Sequence, residues 1–203
     1  IEALILNNNE IDSLDGAENL SKIASLNIVN NKLTSLDGIE KLENLISLNV
    51  AKNQISSLDG LSKLSKLTIF SADNNMISDA NELVDMENLY FLSLSNNKLS
   101  SVPNFTTQAD LYLTFENNPI ENVVIPKAVA AINLKDCIVK SIDYSQVEKQ
   151  ASFRQSRFFD DADFIGIKFA EFTYENAYFY GLLRFDDKEY PCSRKYEELL
   201  KNE

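Results

Sequence analysis

Asparagine recurs at Asn9, Asn31, Asn53, Asn75 and Asn97 at a constant spacing of 22; Asn118 follows at a spacing of 21 and Cys137 at 19. Nothing else limits so strongly what this chain can fold into. Ahead of each position stands an apolar pair split by one residue: Leu4 and Leu6, Leu26 and Ile28, Leu48 and Val50, Phe70 and Ala72, Leu92 and Leu94, Leu113 and Phe115, Ile132 and Leu134. Two positions beyond it comes Ile11, Leu33, Ile55, Ile77, Leu99, Ile120 or Val139. Seven matches in register define a repeat, and a period of this length predicts stacked turns.

The alternation of apolar and exposed residues makes each pair a short strand with one buried face. The chain must then bend. An asparagine pointing inward can satisfy backbone groups that the bend leaves unpaired, turn after turn down a buried column. Three of the return segments repeat as Leu14-Asp15-Gly16, Leu36-Asp37-Gly38 and Leu58-Asp59-Gly60. Apolar residues at a spacing of three follow, for example Ile39, Leu42 and Leu45, which suits a short 3₁₀-like or helical segment with one face inward. The fourth return has Asn81-Glu82 instead. The fifth and sixth are shorter and carry Pro103 and Pro126, which predicts a more extended path.

These residues resemble the leucine-rich repeat, L-x-x-L-x-L-x-x-N/C-x-L, in which Cys137 is an accepted small buried substitute. The 22-residue period and the Asp-Gly return are most similar to the class typified by the regulatory subunit of protein phosphatase 1. Bacterial internalin repeats are also similar, but usually carry proline where this chain has Gly16, Gly38 and Gly60. The resemblance implies an α/β solenoid, a right-handed horseshoe with a parallel β-sheet on its concave side and short 3₁₀ or helical segments on its convex side. It covers residues 1–142, as seven repeats.

Beyond Ile142 the composition changes. All four arginines (Arg154, Arg157, Arg184, Arg194) and 13 of the 20 Phe and Tyr residues lie in the last quarter of the chain. A solenoid exposes its last apolar layer unless something covers it, so residues 143–203 are expected to form an aromatic-rich C-terminal cap. Phe153, Phe158, Phe164, Phe169, Tyr174 and Phe179 recur nearly every five positions, similar to the pentapeptide repeat of right-handed β-helices. Ile167 and Phe172 fall where that family has small residues, so ordinary strands or a hairpin, from Ile165–Phe169 and Tyr178–Leu182, are the preferred reading. Residues 193–200 read as a short terminal helix with Ser193 as its N-cap.

The chemical inventory is thin. There is no histidine, hence no Ser-His or Cys-His nucleophile, and glycine, at five residues, is too scarce for a phosphate-cradling loop. Asp160-Asp161-Asp163 and Asp186-Asp187 lack the glycine and closing glutamate of a calcium loop and read as solvated turns. No catalytic residue, metal or cofactor is expected. A formal charge of −12 repels phosphate backbones, so nucleic acid is a poor partner, and no apolar run is long enough for membrane insertion. Cys137 and Cys192 make no disulfide framework, though a single bridge between them stays open. Ile1 falls on the first position of a repeat, as if cut from a longer array, and the compartment is undetermined.

The exposed strand positions hold the candidate site. The column before the buried pair runs Ala3, Ser25, Ser47, Ile69, Phe91, Tyr112, Ala131, and the residue before it adds Thr68, Tyr90 and Leu111. Ile69, Phe91, Tyr90 and Tyr112, with Asp73 and Glu116 as an acidic rim, are therefore the candidate partner-binding residues. Two readings of this cluster stand: an interaction site for a protein or peptide, or apolar residues covered by the C-terminal segment. The function expected is a non-enzymatic recognition module; the alternative is a structural or adhesin-type segment of a larger bacterial cell-surface or secreted protein.

Overall fold

The structure, a computed structural model, describes residues 2–105, 111–124 and 129–139, together with the strand residues named below as far as Pro191. A parallel sheet of nine strands forms its spine. It comprises β1 (Ala3–Ile5), β2 (Ser25–Asn27), β3 (Ser47–Asn49), β4 (Ile69–Ser71), β5 (Phe91–Ser93), β6 (Leu111–Thr114), β8 (Val129–Asn133), β11 (Ala151–Ser152) and β14 (Phe172–Thr173), in that order. From β1 to β5 the register advances by one full repeat at every step, as in Leu48↔Phe70 and Phe70↔Leu92. The step shortens at Phe91↔Tyr112 and again at Tyr112↔Ala131, where the ladder slips between Leu111 and Tyr112.

Behind the sheet the apolar pairs from Leu26 and Ile28 to Ile132 and Leu134 are buried in one continuous core. Beside them runs the asparagine column. The Asn53 amide donates to the carbonyls of Ile28, Val50 and Ala51 at 3.1, 2.9 and 3.3 Å, and its oxygen accepts from Leu33 N–H at 3.0 Å. Asn75 and Asn97 repeat this set one and two turns on. Each asparagine thus binds its own turn and the one before it. Every bend also places one residue in the left-handed region: Asn8, Asn30, Lys52, Asn74, Asn96, Asn117 and Asp136, with φ from 52 to 59°. Asparagine and aspartate tolerate that conformation best, which accounts for the Asn-Asn doublets.

The returning arms differ along the chain. In the first four turns they form 3₁₀ helices at Ala17–Leu20, Ile39–Lys41, Leu61–Lys63 and Asn81–Leu83. Gly16, Gly38 and Gly60 open the first three with φ of 87, 93 and 90°, a conformation costly for any residue with a Cβ. The fourth opens on Ala80 at an ordinary negative φ. Further along, the arm is extended: Ser101 bridges Asn122, and β7 (Asn122–Val124) pairs in parallel with β10 (Ser141–Asp143).

Parallel stacking continues beyond Asp143. β9 (Ile138–Val139), β12 (Arg157–Phe158) and β15 (Tyr178–Phe179) form one stack, and β13 (Ala162–Phe164) pairs with β16 (Leu182–Phe185). Tyr178–Phe179 lies parallel to Arg157–Phe158; the other limb of the expected hairpin, 165–169, and the terminal helix expected at 193–200 lie outside the described residues. The antiparallel pair is β16 with β17 (Lys188–Pro191).

Candidate functional site

The sheet's outward face carries an apolar cluster over β4 to β6. Ile69, Phe91 and Tyr112 are direct partners across three adjacent strands. Ile69 is 42% exposed and Tyr112 38%, while Phe91 between them is half-buried. Tyr90, immediately before β5, is 51% exposed, and its ring lies 5.1 Å from that of Tyr112 at a tilt of 55°. Tyr112 N–H donates to the Tyr90 carbonyl at 2.8 Å, so the backbone itself sets the two rings side by side.

Two residues differ from the sequence reading. Leu111 is fully buried, not part of the exposed column. The reason is where the strands begin. Thr68 and Tyr90 precede β4 and β5 and escape their alternation, whereas Leu111 is the first residue of β6 and so faces opposite to Tyr112. Ile46, absent from the expected column, is 46% exposed, and its carbonyl accepts from Thr68 N–H at 2.9 Å. It belongs to the same edge of the face as Tyr90. Its signal in the sequence is its place, one full repeat before Thr68.

The acidic residues are half-buried in the same face. Asp73 Oδ1 accepts from Ser93 Oγ at 2.6 Å and from Ser95 N–H at 2.7 Å, while Oδ2 receives only a 3.4 Å bond from Ser71 Oγ. Glu116 Oε1 accepts from Asn133 Nδ2 at 2.6 Å. Neither carboxylate makes an ion pair among the described residues. The carboxylates are thus held in fixed orientations by neutral donors rather than left to swing in solvent. Strands β1 to β3 present a different surface, small and polar, with Ser25, Ser47, Asn27 and Asn49, interrupted by the exposed Ile5.

Among the described residues no activated nucleophile emerges from this geometry. Cys137 is buried, its Sγ donates to the Phe115 carbonyl at 3.1 Å, and burial pushes its thiol up to about 11. At neutral pH it is therefore a packed thiol rather than a thiolate. Among the described residues no group of His, Cys, Asp and Glu is arranged to hold a metal ion, and no helix is long and apolar enough to cross a membrane.

Comparison with known proteins agrees with this architecture. Residues 22–63 match the family model for leucine-rich repeats, over two copies. No curated protein matches the chain in sequence. Among solved structures it is similar to the leucine-rich repeat domain of APL1B, with TM-score 0.64 and 16% identity, covering 88% of this chain and 63% of that one. It is also similar to a leucine-rich-repeat protein of Leptospira interrogans, with TM-score 0.66 and 21% identity over 77% of this chain and 44% of that one. An internalin from Listeria monocytogenes gives TM-score 0.51 and 14% identity over 88% and 75%. At such identities the likeness is one of fold, and the chain spans less than two thirds of the first two structures. Residues 22–63 thus match leucine-rich repeats in sequence, and the chain shares the solenoid fold of these structures.

Proposed function

We propose that this leucine-rich-repeat solenoid is a non-enzymatic recognition module, and that it binds a protein or peptide on the concave face of its sheet. The observation that carries the reading is the in-register row Ile69–Phe91–Tyr112, flanked by Ile46 and Tyr90 and exposed on an otherwise small and polar surface. Strand folding asks only for the inward residues to be apolar; large outward ones gathered on neighbouring strands have another use. The missing histidine and the sparse glycine favour recognition over catalysis.

In its finer form the reading is a right-handed horseshoe of seven repeats over residues 1–142, of the class typified by the regulatory subunit of protein phosphatase 1, closed by residues 143–203. The left-handed Gly16, Gly38 and Gly60 ahead of 3₁₀ turns support the class. Parallel pairing that turns antiparallel only at β16 and β17, among the described residues, supports the closure.

The test is a display library of random dodecapeptides panned on the immobilised protein. Phe91→Ala with Tyr112→Ala should abolish enrichment while leaving the melting curve nearly intact, since central aromatic anchors can each carry about 2 kcal/mol of binding energy or more. The same changes at Leu92 and Leu113, one residue on and inward, should unfold the sheet locally. Enrichment that survives the outward double change sinks this site, and a protein that enriches nothing is better read as a spacer or stalk.

A further inference from the structure

We infer that the occupant of this face is a peptide segment of mixed basic and apolar character, with a lysine or arginine set over Asp73 and apolar side chains on the Ile69–Phe91–Tyr112 row. The inference rests on the reading of this face as a recognition surface and adds the chemistry of the partner. Its ground is a half-buried carboxylate that the protein orients but does not neutralise. Asp73 lies in a nest of three short side chains, Ser71, Ser93 and Ser95, none long enough to cover it and none charged. Oδ1 is committed to Ser93 and Ser95, whereas Oδ2 has one long bond and capacity for a strong donor.

The apolar row is close by. Phe91 and Ser93 are two positions apart on β5, about 7 Å along the strand, and Ser93 Oγ holds the Asp73 carboxylate. One basic side chain therefore reaches Asp73 while its neighbours in sequence lie on Phe91 and Tyr112. Glu116 stands two strands from Asp73 in the same row and has Lys135 at the matching place on the next strand, so Asp73 is the sharper anchor of the two. Lys52, in the bend before Asn53, and Lys135 are basic groups at this end of the strands; Lys52 N–H donates to the Asp73 carbonyl at 2.8 Å, but neither ammonium makes an ion pair with the Asp73 carboxylate. A net charge of −12 over the whole chain draws a basic partner in and repels an acidic one.

The dodecapeptide library also serves as the probe here, panned in parallel on the native chain and on Asp73→Asn. Asparagine keeps an oxygen for Ser93 and Ser95, so the variant should melt with the parent; a fold shared by circular dichroism is the entry condition, and Glu116→Gln is the companion variant. The expected result is enrichment of peptides with Lys or Arg beside aliphatic or aromatic residues. Synthesised singly, they should bind Asp73→Asn about tenfold more weakly or worse, and weaken as salt rises. Enriched peptides that need Phe91 and Tyr112 but show no basic bias, or bind Asp73→Asn unchanged, overturn this inference and leave the recognition surface standing. Enrichment indifferent to Phe91 and Tyr112, or none at all, overturns both.

Discussion

The first four turns and the later ones solve one problem with different amounts of chain. In the first part each turn takes the full period and its outer arm is a 3₁₀ helix; later the period shortens and the outer arm is extended. A 3₁₀ helix advances about 2.0 Å per residue and a strand about 3.3 Å, so an extended arm crosses the same width with less chain. Each design has its own requirement. Three of the four longer turns enter the helix through glycine at positive φ, as at Gly38, and the shorter one tolerates proline, as at Pro103. The apolar patch lies across the junction, on the last strands of the longer turns and the first of the shorter. Repeat length is thus a local adjustable quantity, while the strand and the bend after it are not.

Removing residues 143–203 should have the largest effect. Residues 1–142 alone lose the strands that stack on β8 and β9, leaving apolar residues such as Ile132 and Leu134 at an open end. Each uncovered aliphatic side chain is worth roughly 1.5–3 kcal/mol. Several together rival the ~5–15 kcal/mol of a typical domain. The fragment is expected to aggregate or to melt far below the parent by calorimetry; an unchanged melting temperature and a monomer in gel filtration would mean that residues 143–203 do not close the solenoid.

A smaller effect separates the two ladder chemistries. Asn53→Ala orphans the buried Leu33 N–H and takes one of two hydrogen bonds from each of the Ile28, Val50 and Ala51 carbonyls, at a cost of roughly 1–3 kcal/mol. Asn49→Ala, on the outward face of the same turn, should stay within about 0.5 kcal/mol. Cys137 makes one Sγ hydrogen bond where Asn53 makes four, so Cys137→Ala should cost less than Asn53→Ala. Urea midpoints for the three variants check the order, and equal values for Asn53→Ala and Asn49→Ala would contradict the register.

The smallest expected change is a gain. Lys52 occupies the left-handed position that asparagine fills in five of the other bends, and it interrupts an exposed amide row in which Asn30 bonds Asn8 and Asn117 bonds Asn96. Lys52→Asn should stabilise the protein by less than about 1 kcal/mol, seen as a small rise in melting temperature. A fall would show that the lysine has a contact worth more than the backbone preference.

Much of this molecule is legible in one dimension. A regular period, an apolar pair and an inward amide leave little freedom, because a one-residue slip would turn Leu92 out and Phe91 in. The Asp-Gly returns likewise foretell the 3₁₀ turns that follow them. The Asn-Asn doublets are just as visible, but the ladder accounts only for the second member; the first records the bend. Leu111 departs from the expected column because alternation depends on where a strand starts, and β6 starts one residue earlier than β4 and β5, at a slip in register against β8.

What the sequence determined by itself is the spine: which residues point inward, where the chain bends, and that outward aromatic residues gather on adjacent strands. These follow from spacing, since strand alternation and repeat length act along the chain. Only the tertiary structure decided what crosses between turns. Asp73 reads in one dimension as a rim charge, yet its Oδ1 is claimed by Ser93 and Ser95 of the next turn, because parallel register sets them beside it. In the aromatic tail, likewise, the parallel pairing of Tyr178–Phe179 with Arg157–Phe158 is not legible in one dimension. Alternation says which face a side chain takes; which neighbour it meets there depends on how successive turns stack.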